Sequence, residues 1–214
     1  MNTQPTPLLD TAEAPRATGH RIVTAHLEAV GPALESLRAS AGTLARWGTV
    51  LAATLGAGGR LLVAGNGGSA AEAQHLSAEL VGRFDAERGA YSAISLHAET
   101  SALTAISNDY GYEQSFARQV RAHGRPGDVL LLLSTSGKSP NLLRAAAAAR
   151  TAGMVSWALA GAEASPLTAA CDEAIRIAGP SANVQECHLI AIHAICRVFD
   201  AEVQNHPGVG RWSR

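Results

Sequence analysis

Apolar positions first recur at helical spacing. Between Ile22 and Leu55, residues such as Leu34, Leu37, Leu44, Trp47, Leu51 and Leu55 follow the three-and-four step of an amphipathic helix. Gly31-Pro32 and Gly42 predict breaks or kinks there, so the stretch reads as one long helix or two shorter ones. The glycine-rich segment 56–59 ends it. Beyond that point the pattern changes. Short continuous apolar runs at 61–64, 90–96, 129–133, 154–159 and 174–177 predict five strands. Between them lie alanine-rich helical stretches at 69–81, 101–107, 113–122, 139–152 and 165–171, and a long amphipathic helix covers about 183–203. Strands that are apolar throughout, rather than alternating, are buried on both faces. Alternation of strand and helix then predicts an α/β fold, a parallel sheet covered by helices on both sides.

Residues 1–19 mix Pro5, Pro7 and Pro15 with Thr, Ala and acidic residues in no period, which predicts a disordered tail. No repeat or second boundary interrupts the rest, so one domain is expected over 20–204, with a C-terminal tail at 205–214. Composition narrows the class. With 47% hydrophobic and 16% charged residues, the chain forms a core. A formal net charge of −1 argues against a nucleic-acid partner, and 4% aromatics leave little for base stacking. The longest mid-chain apolar run, 129–133, is far too short to span a membrane. The N-terminal stretch lacks the long apolar region of a signal peptide. Cys171, Cys187 and Cys196 form neither a CxxC pair nor an even framework. A cytoplasmic protein, in a reducing compartment, is expected.

Ligands of open parallel sheets bind at the carboxyl ends of the strands, and three polar segments fall there. The first is Gly65-Asn66-Gly67-Gly68-Ser69-Ala70. Its glycines let the backbone approach a ligand, Ser69 suits a helix N-cap, and a helix start favours an anion. The segment matches G-x-G-x-x-A, a dinucleotide variant, as well as a plain tight turn or a sugar-phosphate site. The second is Ser134-Thr135-Ser136-Gly137-Lys138-Ser139. It lacks the earlier glycine of a nucleotide-hydrolysing loop, since Leu132 stands there. Four hydroxyls and a helix start make a neutral anion cradle, against the simpler reading of an ordinary turn. The third surrounds Asn108-Asp109.

Two helices carry titratable groups. His75 and Glu79 are four residues apart and face the same way, as a metal pair or a base beside a ligand requires; surface pairs share that spacing. The last helix sets Gln185, Glu186, His188 and His193 among Cys187, Leu189, Ile190, Ile192, Ile195 and Cys196. A histidine in so apolar a helix is more often a core or interface residue than a ligand, and needs a partner either way. Packing of the two helices together would bring His75, Glu79, Gln185 and His193 to one place.

The run from Gly65 through His75, then Glu79-Leu80-Val81-Gly82-Arg83-Phe84, resembles the sedoheptulose 7-phosphate isomerases (phosphoheptose isomerases) of the sugar isomerase (SIS) domain superfamily. The resemblance continues through Ser107-Asn108-Asp109-Tyr110-Gly111-Tyr112, Gly127-Asp128-Val129-Leu130, Ser134-Thr135-Ser136-Gly137 and Gln185-Glu186-Cys187-His188 to His193, and spans about residues 25–200. It implies a flavodoxin-like SIS domain: a five-stranded parallel sheet with helices on both faces and an N-terminal helical segment. It implies a homotetramer with active sites at subunit interfaces. The implied reaction converts D-sedoheptulose 7-phosphate to D-glycero-D-manno-heptose 7-phosphate through an enediolate, the first step of nucleotide-activated heptose biosynthesis.

By the same resemblance Glu79 is the base and His193 the acid, and zinc (Zn2+) falls on His75, Glu79, Gln185 and His193. Ser134, Thr135, Ser136 and Ser139 hold the phosphate. Asn66, Gly67, Gly68, Ser69, Arg83, Asn108, Asp109 and Gln185 hold the sugar. Two positions depart from the family pattern: Lys138, where Asn is frequent, and Asn183-Val184, where Arg-Ile is common. Three rival readings are a noncatalytic SIS relative that binds the replication initiator DnaA, an isomerase for another phosphosugar, and a sugar-phosphate-sensing regulatory domain. Retention of both Glu79 and His193 favours the enzyme over the first.

Overall fold

A computed structural model describes residues 13–205. Five parallel strands, β1 (Leu61–Gly65), β2 (Ala93–Ser95), β3 (Val129–Ser134), β4 (Val155–Gly161) and β5 (Glu173–Ile177), pair in the order β2-β1-β3-β4-β5. Eight helices surround them: α1 (Glu13–Arg38), α2 (Ala41–Gly56), α3 (Gly68–Val81), α4 (Thr100–Tyr110), α5 (Ser115–His123), α6 (Pro140–Thr151), α7 (Pro166–Ala170) and α8 (Ser181–Asn205). A 3-10 turn, Tyr112–Gln114, joins α4 to α5.

Strand periodicity divides the core in two. Leu61, Val63, Leu131, Leu133 and Trp157 point to the side covered by α1, α2, α3 and α8. Leu62, Ala64, Leu130, Leu132 and Ala158 point to the side where α5, α6 and α7 bring Phe116, Leu142 and Leu167. Because both faces are covered, the central strands tolerate no polar alternation. Trp47 of α2 stacks on Trp157 of β4, ring centroids 4.7 Å apart. α2 crosses α8 so closely at Gly48 that a Cβ there would lie 2.6 Å from Val198 Cβ. The long last helix is thereby fixed against the sheet.

Three details differ from the sequence expectation. Helix α1 begins at Glu13, inside the stretch expected to be a tail. Glu, Ala and Arg are good helix formers, and Pro15 falls in the first turn, where a missing N–H costs little. Residues 1–12 and 206–214, the remainder of the two expected tails, lie outside the described residues. Gly31-Pro32 does not break α1, and the interruption comes at 39–40 instead. Both residues are on the exposed side, so water can serve the carbonyl that the proline frees, while buried Ala33 and Leu37 hold α1 on the core. Finally, β2 keeps only three residues of the apolar run at 90–96. It is an edge strand, and Tyr91 donates its N–H to Leu80 O rather than to a ladder.

Candidate active site

β1 and β3 are neighbours, yet their chains leave in opposite directions, β1 through α3 and β3 through α6 on the other face. Such a switch point opens a crevice beyond the strand ends. Its first wall is the loop after β1. A Cβ on Gly65 would lie 2.5 Å from the Ser69 backbone, so glycine is required for the tight return, and Gly67 adopts φ +56°. Ser69 is not the N-cap expected from sequence. Gly67 caps α3 without a side-chain bond, and Ser69 is buried inside the first turn. The bare backbone therefore faces the crevice, with the N-terminal N–H groups of α3 uncapped by any side chain.

The second wall is the loop after β3. Ser134 is buried, and its Oγ accepts the Gly137 N–H at 3.0 Å, bracing the loop from below. Ser136 is exposed, and Thr135 Oγ1 accepts from Ser181 Oγ at 3.1 Å. Ser139 caps α6 without using its side chain. Gly137, at φ +61°, abuts Ser165, whose Oγ would lie 2.0 Å from an added Cβ. A cleft of about 400 Å³ opens here, lined by Thr135, Ser136, Lys138, Glu163 and Ser181 among others. Hydroxyls, an uncapped helix start and one lysine suit a dianion.

A reciprocal amide pair ties the walls together. Asn66 Nδ2 donates to Asn141 Oδ1 at 3.0 Å, and Asn141 Nδ2 returns a bond to Asn66 Oδ1 at 2.9 Å. The same Asn66 oxygen accepts Tyr112 Oη at 2.9 Å.

The chemistry-bearing group lies where α3 meets α8. His75 Nε2 is 2.9 Å from His193 Nε2 and 3.2 Å from Glu79 Oε1. One donor atom from each of His75, Glu79 and His193 lies within 4.8 Å of the other two. At 2.9 Å one imidazole nitrogen must accept, so the two rings share a proton or turn lone pairs toward a cation. Glu79 is mostly shielded and His75 partly open. Phe84 covers the His193 ring at 5.4 Å between centroids. Two turns before His193, the Gln185 amide reaches the first loop, where a Cβ on Gly68 would sit 2.6 Å from its Nε2. Of the four residues expected to converge, the structure brings His75, Glu79 and His193 together, whereas the Gln185 amide meets the start of α3 at Gly68. His188, by contrast, is fully buried and 3.7 Å from Glu72; its core placement matches the expectation, but neither ring nitrogen has the hydrogen-bond partner expected with it among the described residues.

The chain matches the SIS domain family over residues 25–161. It is 60% identical over 188 residues to the phosphoheptose isomerase of Streptomyces coelicolor, covering 87% of this chain and 81% of that protein. It is 45% identical over 181 residues to the phosphoheptose isomerase of Desulfovibrio desulfuricans, covering 84% and 86%. The chain belongs to the phosphoheptose isomerases. The fold agrees: the structure of phosphoheptose isomerase from Neisseria gonorrhoeae superposes with a TM-score of 0.79 at 36% identity, covering 86% of this chain and 99% of that one.

Not every residue that the phosphoheptose isomerase resemblance suggested is gathered within one chain. Asn108 and Asp109, in the last turn of α4, are exposed, and Asn108 Nδ2 donates to Asp109 Oδ1 at 2.9 Å. Arg83 is exposed and donates to the Asp85 carbonyl. Among the described residues, no hydrogen bond joins these three to the two loops. Sequence reasoning missed Asn141 as the partner of Asn66 and Ser181 as the partner of Thr135. The signal for Asn141 was its place two residues after Ser139 at a helix start, where an Asn side chain bonds local backbone, as it does to Leu142 N–H. Burial pushes the Cys196 thiol up to about 12 and the Cys171 thiol up to about 11, so neither supplies a nucleophile at neutral pH. Desolvation lowers the pKa of His97, just past β2, and favours its neutral form.

Proposed function

We propose that this aldose–ketose isomerase converts D-sedoheptulose 7-phosphate to D-glycero-D-manno-heptose 7-phosphate through an enediolate. The observation that carries the reading is the meeting of Glu79 with His75 and His193 on α3 and α8, helices whose first turns carry Gly68 of the first loop and Ser181 at the hydroxyl cradle. The cradle of Thr135, Ser136 and Ser139, braced by Ser134, takes the phosphate, and Lys138 adds a positive charge at its rim. The sugar lies along Asn66, Gly67, Gly68 and Gln185. Glu79 removes a proton from C1 and returns it to C2. His193 moves the hydroxyl proton between O1 and O2. The electron pair left at C1 becomes the enediolate, and the net change is isomerisation with nothing else consumed.

The donor set also suits zinc. Two imidazole nitrogens and a carboxylate oxygen within 4.8 Å of one another are ligand types that zinc takes, and the Gln185 amide oxygen is the candidate fourth. When bound there, zinc supplies polarisation of the substrate oxygens. A carboxylate held by a cation is a weaker base, so Glu79 serves one task at the expense of the other.

Assembly into a homotetramer belongs to the same reading. Ile22, Val23 and Leu27 of α1 are more than half exposed, an apolar strip left uncovered among the described residues. Arg83, Asn108 and Asp109, exposed here, are then placed to serve a site shared between subunits. The isomerase reading is tested by supplying sedoheptulose 7-phosphate in deuterated water, with and without chelator. Aldose product carrying deuterium at C2 is expected, and folded, metal-replete protein without turnover would overturn the reading. The presence of Glu79 and His193 in one cluster favours this function over the DnaA-binding alternative.

A further inference from the structure

Arg88 lies in the segment between α3 and β2, and its side chain is only 3% exposed. A buried guanidinium must satisfy five N–H donors; this one grips two helices and, through Nη1, also donates to the Gly89 carbonyl at 2.9 Å and the Gly82 carbonyl at 3.4 Å. Its Nη2 donates to the Glu79 carbonyl, and its Nη1 donates to the Leu80 carbonyl at 3.0 Å. These carbonyls belong to the last turn of α3, where no intrahelical donor remains and the helix dipole favours a cation. Its Nε donates to Asp200 Oδ1 at 2.7 Å. Asp200, itself 6% exposed, is on α8, seven residues after His193 and therefore on the same helix face. The rings of Tyr91 and Phe199 flank the guanidinium at 5.5 and 5.3 Å.

α3 and α8 are thus held at two points, Gly68 against Gln185 at one end and Arg88 with Asp200 at the other. His75, Glu79 and His193 lie between them. We infer that Arg88, anchored by Asp200, is a positioning residue that sets the separation of Glu79 and His193. It touches the backbone of the residue whose side chain abstracts the proton, and it is tied to the helix that carries the acid. Within one chain, the phosphate and sugar contacts proposed above draw on the loops at the other end of α3, and among the described residues no hydrogen bond joins Arg83 to the Arg88 side chain. Loosening the clamp therefore affects proton transfer more than binding. This inference rests on the roles proposed for Glu79 and His193.

Arg88→Lys tests it, because an ammonium keeps the charge but cannot span the carboxylate and both carbonyls at once. Misplacement of reacting groups by about an ångström costs up to roughly a hundredfold. The expected result is a fall in kcat of about 10- to 100-fold with KM within about threefold. Ile175→Ala, at a buried position of the edge strand β5 and away from the site, supplies a control of equal or greater loss in Tm, with kcat expected within about twofold. Asp200→Asn keeps an oxygen to accept the Arg88 Nε–H and serves where Arg88→Lys does not fold; it is expected to lower kcat in the same direction. Unchanged kcat in the folded clamp variant, or an equal loss of kcat in the stability-matched control, would overturn the inference. Glu79→Gln assayed in parallel separates the failures. Full turnover there removes the base assignment and the clamp with it, whereas its loss beside an active Arg88→Lys removes the clamp alone.

Discussion

The two ends of the crevice are made in opposite ways. The hydroxyl cradle is local: Ser134 to Ser139 are consecutive, and Ser134 braces the same loop through Gly137 N–H. The proton-transfer end is assembled from helices remote in sequence, His75 and His193 being 118 residues apart. A local cradle keeps its shape as long as its own turn survives. An assembled cluster depends on how two helices pack. The cradle offers an anion mostly neutral hydroxyls, with Lys138 the one cation at its rim. The cluster concentrates a carboxylate and two imidazoles, groups whose protons move. On the proposed function, binding and chemistry should therefore be separable by substitution.

The largest expected effect is at the assembled end. Glu79→Gln should lower kcat by about a thousandfold, the usual range for a lost general base, with the circular dichroism spectrum and assembly unchanged. Near-normal kcat would remove Glu79 from the chemistry. Gly68→Ala attacks the first loop, at the start of α3, through packing. Its Cβ would collide with the Gln185 amide, so kcat/KM should fall by roughly tenfold to a hundredfold while Tm shifts little, because the obstacle is the tip of a side chain. An unaltered kcat/KM would show that Gln185 serves equally well from a displaced position.

At the local end the effect should be smaller and of another kind. Ser136→Ala removes one hydroxyl facing a charged group, worth about 1.5–3 kcal/mol, so KM should rise by roughly tenfold or more with kcat nearly constant. A fall in kcat with constant KM would merge the two ends into one function. The smallest change tests the junction between them. Asn141→Ala strips the buried amide that pairs with Asn66 and should cost about 1–3 kcal/mol in denaturant unfolding, with only a modest loss of kcat/KM. A neutral result in both measurements would mean that Tyr112 alone orients Asn66.

Local features were readable in advance because they depend on neighbours in the chain. The apolar runs at 61–64 and 129–133 read as doubly buried strands, and the glycines after the first read as a close approach of the backbone, whether to a ligand or in a tight turn. Gly65 shows why: its Cβ would strike the Ser69 backbone four residues on. The same local logic erred where tertiary surroundings intervened. Pro32 is tolerated inside α1 because its side of the helix is exposed, and Ser69 yielded the cap to Gly67. Asn66 offered no hint of its partner, since a bond across 75 residues leaves no periodic trace.

From the sequence alone came the five strands, the two loops with their glycines and hydroxyls, the i,i+4 relation of His75 and Glu79, and a family resemblance carried by motifs in a fixed order. Helical geometry sets that i,i+4 relation wherever the helix lies. The tertiary structure decided that His193 approaches His75 to 2.9 Å, that Gln185 rests on Gly68, and that Arg88 closes the end of α3 onto Asp200. Those distances depend on how deeply α8 sinks against α2 and the sheet. That depth is set by side chains such as Trp47, Trp157 and Val198 packing at crystal-like density, a sum over many contacts that no single segment encodes.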